Sequence, residues 1–145
     1  MKISTKGRYG IRLMLSLALQ YEKTSHTPLK IIAQQQEISE KYLEQIINPL
    51  TKAGLVKSFR GAQGGYSLIK DPSEITVGSI LRILEGSLSP VDCLEHGPCK
   101  RADVCASLSL WQRMKTAVDE VVDTTTLADL VTEYYAKNTT ENTIS

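Results

Sequence analysis

The stretch LVKSFRGAQGGYSLIK, residues 55–70, sets the tightest limit on how this chain can fold. Leu55 to Phe59 and Tyr66 to Ile69 alternate in the manner of strands, and RGAQGG joins them. Three glycines in so short a connection predict a tight hairpin, with Arg60 as an exposed basic residue at its start. What precedes this ribbon reads as three helices. Between Thr5 and Tyr21, Ile11, Met14, Leu15 and Ala18 recur at helical spacing, with Leu13, Leu17 and Leu19 widening the stripe. LKIIAQQQ, after Pro28, predicts a helix of about two turns with Ile31, Ile32 and Ala33 turned inward. In EISEKYLEQIINPLTKAGLV, Ser39 is a natural N-cap, Leu43, Ile46, Ile47 and Leu50 form the buried stripe, and Gly54 is the stop. Lys41, Glu44, Gln45, Asn48 and Lys52 are left as one polar face, and Pro49 should kink the axis. Two short helices leading to a third, then a two-stranded ribbon, is the layout of a winged helix-turn-helix.

Charge is divided along the chain. Residues 1–70 hold eleven Lys/Arg against four Asp/Glu, a net +7, whereas residues 71–145 hold six against twelve, a net −6. The basic half ends with the ribbon and suggests a polyanion-binding face. The opening MKISTKGRYG has no apolar run after its charges, so no signal peptide is expected, and no stretch approaches the ~18–20 apolar residues of a membrane span. A cytoplasmic protein in a reducing compartment follows as the expectation. No Walker or dinucleotide-type glycine loop is present, because RGAQGG lies between two strands. With two histidines and no nucleophile–base constellation, an enzyme is not expected.

After the ribbon, Thr76 caps a helix whose buried face is Val77, Ile80, Leu81 and Leu84. A long helix from about Leu108 to Asp123 carries Trp111, Met114, Val118, Val121 and Val122 on one side, and such a stripe either finds a partner helix or packs back on its own domain. Thr126 caps a last short helix ending near Tyr135. The fold expected is therefore mainly α. A winged helix-turn-helix occupies residues 1–85, a cysteine loop 86–106, and a dimerisation helix with a short C-terminal helix 107–136; residues 137–145 form a disordered tail.

All three cysteines lie in CLEHGPCKRADVC, residues 93–105, with five residues between each pair. Steps of six residues turn about 240° on a helix, so Cys93, Cys99 and Cys105 cannot share a helical face. EHGP makes a loop in any case, and a loop lets three sulfurs approach one centre. An odd number of clustered cysteines argues for a metal or redox site over a disulfide framework. Thiolates are soft donors that favour iron–sulfur clusters, zinc or Cu(I).

The strings KGRYGIRLMLSLA and KYLEQIINPLTKAGLVKSFRGAQGGY, together with the cysteine triplet, resemble the winged-helix iron–sulfur regulators of the IscR type. The nitric-oxide sensor NsrR and the cysteine-metabolism repressor CymR belong to the same family, and the resemblance covers residues 1 to about 135. It implies a homodimer on double-stranded DNA, with a recognition helix over Ser39–Lys52, a glycine wing over Arg60–Tyr66 and a dimerisation helix. Lys41, Glu44 and Gln45 then stand where a recognition helix reaches base edges, after Ser39. Arg60 fits a narrow minor groove, and Lys6, Arg8 and Lys57 are read as phosphate contacts. The resemblance also implies that Cys93, Cys99 and Cys105 hold an iron–sulfur cluster, since the cysteine-metabolism branch has no such triplet.

One departure from the IscR pattern stands out. Its fourth ligand is a histidine three residues after the third cysteine, and that position here is Leu108. His96 inside the loop and Glu44 on the recognition helix are the alternatives, with Asp92, Glu95 and Asp103 as nearer carboxylates. The IscR branch implies [2Fe–2S], favoured over the [4Fe–4S] of the nitric-oxide branch. The function expected is a repressor of iron–sulfur assembly genes. Its rivals are a thiol- or zinc-sensing repressor of cysteine metabolism, a nitric-oxide sensor, and a cluster carrier that no longer binds DNA.

Overall fold

The computed structural model describes residues 1–97 and 99–144, with 140–144 as backbone only. Three helices, α1 (Thr5–Leu19), α2 (Leu29–Gln36) and α3 (Glu40–Lys52), lead into an antiparallel hairpin of β1 (Val56–Phe59) and β2 (Gly65–Leu68). A 3₁₀ turn at Pro72–Glu74 precedes α4 (Val77–Glu85), a second at Asp92–Leu94 opens the cysteine loop, and α5 (Leu108–Thr124) and α6 (Leu127–Ile144) complete the chain. This is the mainly helical, two-stranded arrangement expected from the sequence.

The core is a single cluster. Leu13 and Met14 of α1, Ile32 of α2, and Leu43, Ile46, Ile47 and Leu50 of α3 are all fully buried. Val56 and Leu68 bring the ribbon into the same cluster, as Ile80 and Leu84 bring α4 and Leu127 brings α6. Full burial of each such side chain stabilises the fold by about 1.5–3 kcal/mol. Helix starts are set by hydroxyl caps: the N–H groups of Gly7, Tyr42, Ser79 and Asp129 donate to the side chains of Ser4, Ser39, Thr76 and Thr126, each at 3.1 Å. At α6 the cap is reciprocal, since Thr126 N–H donates to the Asp129 carboxylate at 2.9 Å. The Ser39, Thr76 and Thr126 caps agree with the sequence. α3 continues through Pro49 to Lys52.

Three expectations need correction. Ile31 is 42 % exposed; because α2 begins at Leu29, the inward positions are Leu29, Ile32 and Ala33, spaced three and four apart. On α5 the expected single stripe separates into two. Trp111, Val118 and Val122 are half-buried, whereas Leu110, Met114 and Val121 are exposed, and no residue of α5 is buried. Lastly, α6 does not end near Tyr135 but runs to Ile144, through residues expected as a disordered tail. No glycine or proline follows Thr126 to stop it, and Asn138 Nδ2 donates back to Tyr134 O at 2.7 Å.

α5 is tied to α4 by an ion-pair cluster as well as by its half-buried side chains. Arg82 bridges Asp119 (3.0 Å) and Asp123, and Lys115 reaches Asp119 at 2.6 Å. The Lys115 ammonium, with Arg82 behind it, holds the Asp119 carboxyl below the usual range. Gly78 lets these helices approach, since a Cβ there would meet the Asp123 carboxylate and the Arg82 guanidinium. The start of α6 is pinned by backbone bonds, Leu127 N–H to Ile75 O (2.9 Å) and Val77 N–H to Thr125 O (2.8 Å). Among the described residues no helix is long and apolar enough to cross a membrane.

Candidate functional site

The buried stripe of α3 turns its opposite side outward. Lys41, Glu44, Gln45, Asn48 and Lys52 are all exposed there, on the helix that Ser39 caps. Tyr9 meets Tyr42 edge-on with ring centroids 5.9 Å apart, which sets the Arg8 turn of α1 beside the first turn of α3. Arg8 is exposed and Lys6 half-buried.

The wing stands next to this face. Between the first turns of α3 and the hairpin lies a cleft of about 620 Å³ whose walls include Lys30, Glu40, Glu44, Arg60 and Tyr66. The structure therefore brings Glu44 and Arg60 to one cleft, while Lys6, Arg8 and Lys57 lie outside it. Lys30 belongs to the cleft and was missed; its only sequence signal was an exposed basic position at the start of α2. Gly61 turns at φ +109°, and a Cβ at Gly64 would collide with the carbonyl of Phe59, so glycine is required at both places. Lys57 lies over the Phe59 ring, 5.1 Å from its centroid, on the outer side of β1. Among the described residues the ion pairs lie between α4 and α5, along α5, and within the cysteine loop; none engages Lys30, Lys41, Lys57 or Arg60. Their charge is free for an external polyanion.

The cysteine loop connects α4, which is in the core, to α5, none of whose residues is fully buried. Cys93 is exposed in the turn Asp92–Leu94, and Cys99 and Cys105 are half-exposed. All three are free thiols. Among the described residues, no three His, Cys, Asp or Glu side chains gather as a metal shell would require. The donors suit a soft metal in kind, being three accessible thiols on one short segment, but the chain does not hold them in a preformed cage. Among the described residues neither candidate fourth ligand forms such a group with them. The His96 side chain is 84 % exposed with Nε2 3.8 Å from a Glu95 oxygen, and Glu44 lines the wing cleft. Leu108 opens α5.

Cys105 has the most distinctive surroundings. Its Sγ lies 3.4 Å from Ser107 Oγ, and hydrogen bonding from the Ser107 hydroxyl and backbone stabilises the thiolate, with Leu108 N–H and Arg101 adding to it. The thiol is held below its ordinary value, so more of it is ionised at neutral pH. Alkylation at Cys105, followed by mass spectrometry across pH, should reach half its maximal rate below the ~8.5 of a free cysteine. Ser107→Ala should move that midpoint upward; an unchanged midpoint would contradict the assignment.

Residues 3–133 match the Rrf2 family, described as iron-dependent transcriptional regulators. The chain is 53 % identical over 131 residues to the HTH-type transcriptional regulator CymR of Bacillus subtilis, covering 90 % of this chain and 89 % of that protein. It is 39 % identical over 131 residues to the regulator IscR of Klebsiella pneumoniae, covering 90 % and 80 %. Among solved structures it resembles CymR, the global cysteine regulator of B. subtilis, with a TM-score of 0.77 and 51 % identity over 92 % of this chain and 98 % of that one. It also resembles T. potens IscR, with a TM-score of 0.75 and 44 % identity over 92 % and 88 %. With the wing, the exposed face of α3 and these likenesses together, the chain belongs to the Rrf2 family of transcriptional regulators.

Proposed function

We propose that this regulator is a homodimeric repressor of iron–sulfur assembly genes that reads duplex DNA with α3 and the wing. Its promoter choice is set by a labile iron–sulfur cluster, [2Fe–2S] in preference to [4Fe–4S], held by Cys93, Cys99 and Cys105. The observation that carries the reading is the confinement of every cysteine to one accessible loop outside the core, between the DNA-facing body and α5. Gln45 and Lys41 read base edges, Glu44 discriminates against phosphate and purine acceptors, Arg60 enters the minor groove, and Lys6, Arg8 and Lys57 contact phosphates. Leu110, Met114 and Val121 on the outer side of α5 meet the same face of a second copy; they are 46 %, 37 % and 63 % exposed.

When bound, the cluster supplies redox and ligand-exchange chemistry at the loop. The chain contributes three thiolates, that of Cys105 stabilised by Ser107, and a fourth donor from Glu44 or His96. Substituting each of these two by alanine identifies it, because loss of the true ligand shortens the lifetime in air of the cluster's visible absorption. If neither substitution shortens it, both assignments are wrong.

A second reading is favoured by the 53 % identity to CymR. On it, the same winged helix controls cysteine or sulfur genes and senses through bare thiols or zinc, with Cys105 as the reactive group.

Both readings share the DNA interface. An operator selected from random duplexes by the purified protein should be palindromic, with half-sites about one helical turn or a multiple apart. Gln45→Ala should cost about 1–3 kcal/mol and relax preference at one base pair, whereas Lys57→Ala should weaken all sequences alike and lower the salt slope by about 1. Absence of salt-dependent duplex binding would overturn the interface.

A further inference from the structure

The wing is not a free hairpin. The connection between α1 and α2 passes alongside it and adds a one-residue third strand: Thr27 N–H donates to Tyr66 O at 2.8 Å, and Tyr66 N–H donates back to Thr27 O at 2.9 Å. The backbones approach so closely that a Cβ on Gly65 would lie 2.4 Å from the Thr27 carbonyl oxygen. This bridge delivers the preceding residue, His26, to the base of the turn that carries Arg60.

His26 holds that turn at both ends. Its ring stacks on Phe59, the residue before Arg60, with centroids 4.8 Å apart and planes at 23°. Its Nε2 lies 2.6 Å from the carbonyl oxygen of Gln63, on the far side of Arg60. A carbonyl oxygen only accepts, so Nε2 carries the proton and donates it. In the neutral ring Nδ1 is then an acceptor, and the Ser25 hydroxyl stands 2.9 Å away to supply it. Thr24 Oγ1 donates to His26 O at 3.2 Å, which steadies the connection from behind. Within the turn, Gly64 N–H donates to Gly61 O at 3.0 Å. Gly61, Ala62 and Gln63 are otherwise exposed, and three of the five residues from Arg60 to Gly64 are not glycine but carry no core contact. The grip on Arg60's position therefore comes largely from outside the hairpin.

We propose that His26 is a positioning residue for DNA binding: by bridging Phe59 and Gln63 it fixes the turn that presents Arg60 to the groove. This rests on the reading of the wing as a DNA contact. Its consequence is that His26 matters to DNA only through Arg60, although it lies outside both the recognition helix and the hairpin.

The test is a double-mutant cycle on the full chain, with affinity for the selected operator measured by fluorescence anisotropy at one salt concentration. His26→Ala should weaken binding about tenfold, the scale of one lost hydrogen bond. His26→Gln, whose amide nitrogen can reach the position of Nε2, should recover most of the loss. His26→Phe keeps the stacking without the donor and should recover less. In an Arg60→Ala background, His26→Ala should change affinity by no more than about twofold. Urea unfolding of each variant checks that it is folded, and the glutamine and phenylalanine variants carry the comparison if the alanine variant is not. Full additivity of the two substitutions, or a glutamine variant no better than alanine, would overturn the role of His26 alone. If Arg60→Ala leaves affinity unchanged, the wing reading fails and the proposal fails with it.

Discussion

The apolar stripe of α3 is the constraint on which the rest depends. Leu43, Ile46, Ile47 and Leu50 are each fully buried, so the helix has one permitted rotation in the body. That rotation turns Lys41, Glu44, Gln45 and Asn48 outward together. The stripe belongs to the same core cluster as Leu13 and Met14 of α1, Val56 of β1 and Leu84 of α4. Disturbing it would therefore move the exposed polar face, the wing and the support of α5 at once. Removing one such side chain to alanine typically costs about 2–5 kcal/mol, a large part of a small domain's stability.

A gradient of fixation runs along the chain. The first half and α4 are held by burial, whereas α5 is held by half-buried side chains and the Arg82–Asp119–Asp123 cluster. Exposed ion pairs contribute little each, about 0–1 kcal/mol, and weaken in salt. The cysteine loop sits at this change of regime. It joins the buried body to the helix whose outer face is exposed.

Much of the body could be read from the sequence because strong periodicity and local caps decided it. The α3 stripe, the Ser39, Thr76 and Thr126 caps, and the hairpin to within a residue at each end all followed from short-range rules. Ile31 was misjudged because three consecutive apolar residues do not reveal where a short helix starts. The half-buried and exposed sides of α5 look like one broad stripe in the sequence because their apolar residues adjoin around the helix. The third strand at Thr27 has no pattern of its own: it is a single bridge made across 39 residues of sequence. For the same reason no sequence pattern singles out His26, whose ring lies against the wing. The cysteine spacing was plain in the sequence, whereas among the described residues no three metal-ligating side chains gather.

Iron and acid-labile sulfide per chain, measured with the absorption spectrum on anaerobically purified protein, test the proposed cluster of the cysteine loop most directly. A [2Fe–2S] regulator gives about two irons and two sulfides with visible bands. No iron, or zinc alone, after anaerobic reconstitution would contradict it and leave the thiol or zinc sensor on the same winged helix.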